Sequence, residues 1–94
     1  MVVDQSRSAA ELDHVFGALA DATRRDILAR VMNADASVSE LAARYDMSFA
    51  AVQKHVAVLA RARLVTKQKD GRLQRVTGNP DAVRRANRLL AQFE

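Results

Sequence analysis

The segment from Ser37 to Val76 constrains the fold of this chain more than any other. It opens on Ser37-Val38-Ser39-Glu40. This is the pattern of a capping box, in which a Ser hydroxyl and a Glu side chain each satisfy a free backbone N–H at a helix start. The short helix it begins carries Leu41, Ala42 and Tyr45 on one face. Asp46-Met47-Ser48 then reads as a turn, with Ser48 placed to cap a further helix and Met47 and Val52 spaced for a hydrophobic staple. Over Phe49 to Arg61, Val52, Val56 and Leu59 fall in a narrow arc at about 100° per residue, which makes theirs the buried side. Ala50, Lys54 and Ala57 lie opposite, flanked by Gln53 and Val58. Beyond Leu64 the period becomes that of strands, with Asp70-Gly71 as a two-residue hairpin signal that relies on positive φ. The order predicts a helix-turn-helix over residues 37–61 and a basic wing over 64–77.

The flanks complete one domain over residues 1–94. Residues 1–8 read as a flexible polar arm. From Ala9 the spacing is helical, with Leu12, Val15, Phe16 and Leu19 in phase. Asp21, ahead of Thr23-Arg24-Arg25, is a natural N-cap for a second helix with Ile27, Leu28 and Val31 inward and an end near Asn33. Asn79-Pro80-Asp81 starts a last helix over 79–94, with cap, proline and first-turn acid in order. Val83, Ala86, Leu90 and Phe93 form its apolar stripe, and no stop signal precedes Glu94, so whether the natural helix runs on is left open. The fold class expected is mainly α with a β-hairpin wing. A chain of 94 residues buries only about 60–65% of its unfolded surface, so pairing through the first and last helices is a natural way to finish the core.

The net charge of +4 is unevenly placed. Residues 1–46 hold five basic and eight acidic residues, whereas 47–78 hold seven basic residues and Asp70 alone as an acid. Positive charge therefore gathers on the second helix of the motif and on the hairpin, the electrostatic footprint of a polyanion-binding surface. Aromatics are few (Phe16, Tyr45, Phe49 and Phe93), which argues against base stacking on single strands. The absence of Cys excludes disulfides, thiolate metal sites and Cys nucleophiles. No signal peptide and no run of roughly 18 apolar residues is seen, so a cytoplasmic protein without membrane contact is expected. Ser37 and Ser48 are accounted for as caps, and three scattered glycines make no phosphate loop, so no enzyme is expected.

Several stretches together resemble the ArsR-type winged-helix repressors. Phe16-Gly17-Ala18-Leu19-Ala20-Asp21-Ala22-Thr23-Arg24 is similar to the family's first junction, and Val38-Ser39-Glu40-Leu41-Ala42 to the start of its third helix. Val52-Gln53-Lys54-His55-Val56-Ala57-Val58-Leu59 is similar to its recognition helix, and Leu64-Val65 with Gly71-Arg72 to its wing. The resemblance implies a homodimeric repressor whose recognition helices enter successive major grooves. It departs at Ala22, where the family commonly has Pro, at Phe49 and Gln53, where small or polar residues are usual, and at Arg63, where Gly is frequent. The family's metal sensors use Cys on the third helix, or His and acids on the last. Leu41-Ala42-Ala43-Arg44 and a His-free 79–94 match neither, so no metal and no cofactor are expected.

The residues expected to meet double-stranded DNA are Ser48, Phe49, Ala50, Gln53, Lys54 and His55 on the helix and Lys67, Lys69, Arg72 and Arg75 on the wing. Gln53 can read adenine through its amide, and Lys54 can reach a guanine edge or a phosphate. Arg24 and Arg25 are expected to pair with Asp21 or Asp26, or otherwise to brace the fold. Leu12, Val15, Phe16, Val83, Ala86, Leu90 and Phe93 are expected at a homodimer interface. The alternative is a winged-helix module that docks an acidic protein through the same face. The effector, the operator and the choice between repression and activation are not legible.

Overall fold

The computed structural model describes residues 2–94, with side chains from Ala9 onward. Five helices and three strands follow in the order α1 (Val2–Leu19), α2 (Ala22–Asn33), β1 (Ala36–Ser37), α3 (Val38–Tyr45), α4 (Phe49–Arg61), β2 (Val65–Asp70), β3 (Leu73–Gly78) and α5 (Pro80–Ala91). The backbone of residues 2–8 is thus part of α1 and not an arm. No Gly or Pro interrupts Val2–Phe16, so a helix anchored by Leu12 and Val15 meets no breaker on its way back.

Local chemistry sets the helix starts. Asp21 accepts from the Arg24 N–H at 3.0 Å and opens α2. Ser37 and Glu40 close the capping box of α3, with bonds of 3.1 and 2.8 Å. Ser48 accepts from the Ala51 N–H at 3.1 Å and opens α4, and Asn79 does so for α5 from Ala82.

The core gathers one face of each element. Ile27 and Val31 of α2, Val38 and Leu41 of α3, Val52, Val56 and Leu59 of α4, and Leu64, Val65 and Val76 at the root of the wing are all buried. Met47 packs against this cluster at the turn, consistent with the staple position. Tyr45 ties α3 to α2: its hydroxyl donates to Asp26 at 2.5 Å, and Arg30 donates to both Asp26 and the Tyr45 oxygen.

The end of α4 is a Schellman motif. The Leu64 N–H donates to the Leu59 carbonyl at 3.1 Å and the Arg63 N–H to that of Ala60 at 2.9 Å. Leu59 and Leu64, both fully buried, supply the accompanying apolar contact. The motif puts Arg63 at φ +65°, in the left-handed region where a side chain is strained. Arg63→Gly is expected to raise stability by about 1 kcal/mol and the melting temperature by about 4–8 °C, measured by thermal unfolding. A lower melting temperature would mean that the Arg63 side chain contributes more than its backbone costs.

The sheet differs from the expectation in two ways. A third strand, β1, pairs antiparallel with β3 (Ala36 with Val76, Ser37 with Arg75), giving the order β1-β3-β2. Two residues are too few to show a strand period, so this pairing had no sequence signal. The hairpin loop is Gly71-Arg72, one residue later than Asp70-Gly71, because Asp70 pairs with Leu73 and closes the ladder. Of the two loop residues, Gly71 alone has positive φ (+65°). This is the pattern of a turn with glycine at its first central position, whereas the mirror-image alternative needs positive φ at both.

Among the described residues, three carboxylates are held below their usual range. The leading cause is the Tyr45 hydroxyl for Asp26, the Arg24 backbone N–H for Asp21 and the Ser37 backbone N–H for Glu40. Each group binds protons less readily in the folded state than in the unfolded one. Their stabilisation is therefore complete above the unfolded carboxyl values of about 3.9–4.3 and is lost as pH falls from there through the folded values. Urea unfolding is expected to give a flat stability between pH 7 and about 5 and a decline below about 4, with a shallower acid limb in Asp26→Asn. An identical limb in that variant would remove Asp26 from the account.

Candidate nucleic-acid interface

Capping and packing together place the exposed face of α4. With Val52, Val56 and Leu59 buried, Ala50, Gln53 and Lys54 stand outward, and Phe49 at the first position is 46% exposed. The Ser48 hydroxyl, occupied as a cap, sits at the same end. The face is smooth, since alanine alternates with two long polar side chains. An α-helix of this kind fits a major groove.

The hairpin lies beside it. Directly paired residues share a face of a sheet and alternate residues change face. Val65, Lys67 and Lys69 therefore share one face with Gln74 and Val76. Val65 and Val76 root that face in the core, and Lys67 and Lys69 continue it outward. The Gln53 side-chain amide donates to the side-chain Oε1 of Gln74 at 3.4 Å, so the wing and α4 meet on that side. Arg72 stands at the tip. Among the described residues, the side chains of Lys54, Lys67, Lys69 and Arg72 have no acidic partner.

Two expected residues are turned elsewhere. Arg75 lies on the opposite face of the hairpin, across from Gln68. Its guanidinium is 3.4 Å from the Asp70 carboxylate and helps to hold the Glu40 carboxyl low. Strand alternation, counted from Val76 as a core residue, carries the signal that separates it from the two lysines. His55 turns inward, with Nδ1 accepting from Arg24 at 3.2 Å and lying 4.0 Å from Asp21. Arg24 also donates to the Ala18 and Gly17 carbonyls at 2.7 and 3.0 Å, and Arg25 to that of Leu19 at 2.7 Å. Both arginines thus brace the end of α1, as one of the expected alternatives had it, and Asp26 pairs with Arg30 instead.

The residues expected at a dimer interface divide in a similar way. Leu12, Val15 and Ala86 are already buried within one subunit, where α1 and α5 pack together. Val83 and Leu90 are half-buried, and Phe16 and Phe93 remain 48% and 69% exposed. Of these seven residues, the two phenylalanines are the most exposed.

A short helix, a tight turn, an outward helix and a cationic hairpin on the same side define a winged helix-turn-helix module. A family model described as a helix-turn-helix domain matches residues 19–68. The chain is 32% identical to a solved ArsR family transcriptional regulator, with a TM-score of 0.81 and coverage of 89% of this chain and 87% of that one. It is 38% identical to an ArsR-like transcriptional regulator from Rhodococcus sp. RHA1, with a TM-score of 0.79 and coverage of 90% and 80%. It is also 42% identical, over 63% of its length, to the HTH-type transcriptional regulator Rv2034 of Mycobacterium tuberculosis, of which it covers 55%. The chain belongs to the ArsR-type winged-helix transcriptional regulators. It spans about half the length of the curated relatives it matches. No helix of the described residues is long and apolar enough to cross a membrane.

Proposed function

We propose that the chain binds duplex DNA sequence-specifically as a homodimer in the cytoplasm and represses transcription by occluding polymerase. The observation that carries this reading is the junction of α4 and the wing, where Lys54, Lys67, Lys69 and Arg72 stand free of acidic partners beside the groove-sized face of Ala50 and Gln53. In this reading Gln53 and Lys54 meet base edges, Phe49 packs on a thymine methyl, and the wing cations hold phosphates. The interface is a binding surface, and no catalytic role is assigned to it.

Selection of bound duplexes from a random library at about 100 mM salt tests the proposal. The expected product is an inverted repeat with half-sites about one helical turn, roughly 34 Å, apart. Unselective enrichment would overturn the specific reading and favour an acidic protein as the partner of this face.

A further inference from the structure

A cavity of about 660 Å³ opens between α1, the end of α4 and α5, away from the wing. Its floor includes Val15, Ala62 and Ala86, all at least nine-tenths buried. Arg61, Arg63 and Arg85 stand around it. Glu11, the acid of the lining, accepts two N–H bonds from Arg85 at 2.6 and 2.8 Å. The guanidinium groups of Arg61 and Arg63 have no partner among the described residues. The lining is therefore apolar below and net cationic at the rim, within the size range of small-molecule pockets.

Arg63 adds an independent observation. Its φ of +65° is one a glycine would adopt without strain, yet a long cationic side chain is held there, at the rim. Backbone strain maintained beside a cavity points toward function. We infer that this cavity binds an amphipathic organic anion, with an apolar body against Val15, Ala62 and Ala86 and a carboxylate paired to Arg61 and Arg63. Guanidinium suits this role because it offers paired N–H donors to a carboxylate at any physiological pH.

The cavity joins the C-terminal end of α4 to the two helices that pack at the far end of the domain. An anion bridging them favours one setting of α4 relative to α1 and α5, and by linkage its affinity and that for DNA shift by the same factor. This second consequence rests on the DNA-binding reading; occupancy of the cavity does not.

The probe is 2-naphthoate, which is fluorescent and is followed against a chain without Trp. Saturable binding at one per subunit is expected, with amide NMR shifts confined to residues 10–15, 61–64 and 82–89. The amine analogue, 2-naphthylmethylammonium, is expected to bind at least tenfold more weakly. Arg61→Gln combined with Arg63→Gly is expected to weaken naphthoate binding at least tenfold. Because Arg63→Gly relieves strain, such a loss cannot be assigned to unfolding when the melting temperature is retained. Lys67→Gln with Lys69→Gln, a change on the wing, is expected to leave naphthoate binding intact. Absence of saturation, equal binding of the amine, or loss with the wing variant instead of the arginine variant would each overturn the assignment. Where naphthoate binds as expected but no duplex is selected, the cavity stands and the DNA-binding reading falls.

Discussion

Lys54→Ala combined with Arg72→Ala is expected to lower the affinity for a selected duplex by roughly two to four orders of magnitude at 100 mM salt. Lys54 projects from the centre of the outward face of α4 and Arg72 from the tip of the wing, so one change tests the groove contact and the other the backbone contact. In a dimer the pair removes four cations. Of these the two Arg72 side chains hold phosphates, so the slope of log affinity against log salt is expected to become shallower by about two, at about 0.9 per phosphate neutralised. Neither side chain is buried or paired, so the melting temperature is expected to move by less than about 3 °C. The measurement is a salt series of duplex titrations with both proteins. An unchanged slope would show that the phosphates are held by other residues.

The largest loss of stability from a small change is expected at Gly78. A Cβ placed there would lie 2.6 Å from the Met32 sulfur, 2.9 Å from the Met32 Cα and 2.9 Å from the Val31 carbonyl oxygen. The thioether can swing aside, but the two backbone atoms belong to the last turn of α2 and cannot. Gly78→Ala therefore pushes the end of β3 off α2 and is expected to cost about 2–3 kcal/mol, or roughly 10–20 °C in melting temperature. Gly17→Ala is the control. That site has open space around its Cβ and no positive φ, so alanine in the helix is expected to be neutral or to stabilise by up to about 1 kcal/mol. Equal melting temperatures for the two variants would mean that β3 and α2 can separate at little cost.

The parts of this fold that were legible in the sequence are those decided within a few residues. Four helix starts rest on Asp21, Ser37, Ser48 and Asn79, each of which caps a backbone N–H three residues ahead. The buried side of α4 follows from the spacing of three apolar residues. The features that escaped depend on partners distant in the chain. β1 exists because Ala36 and Ser37 meet Val76 and Arg75, some forty residues away. The position of the hairpin loop depends on the register that the core imposes through Val65 and Val76, which a dipeptide signal does not contain. By sequence Arg75 reads as one more cation of the wing, and that register places it on the other face. The family resemblance gives His55 a packing or phosphate role, and Arg24, from another helix, holds its ring inward. The close approach at Gly78 and the cavity beside Arg63 are likewise products of packing and leave no local trace.

The bonds of Arg24 carry a consequence for how such a protein evolves. One guanidinium grips the last carbonyls of α1 and the ring of a residue in the middle of α4, so the helix that bears the exposed Phe16 and the helix that faces outward are clamped at a shared joint. In an assembly built through α1, the distance between the two outward helices then depends on that joint as well as on the residues that touch the partner. On the proposed DNA-binding reading, substitutions on the outer face of α4 change which sequence is read while the joint that helps to set half-site spacing stays as it is. Reading and measuring become separately variable traits, carried on different surfaces of the same short chain.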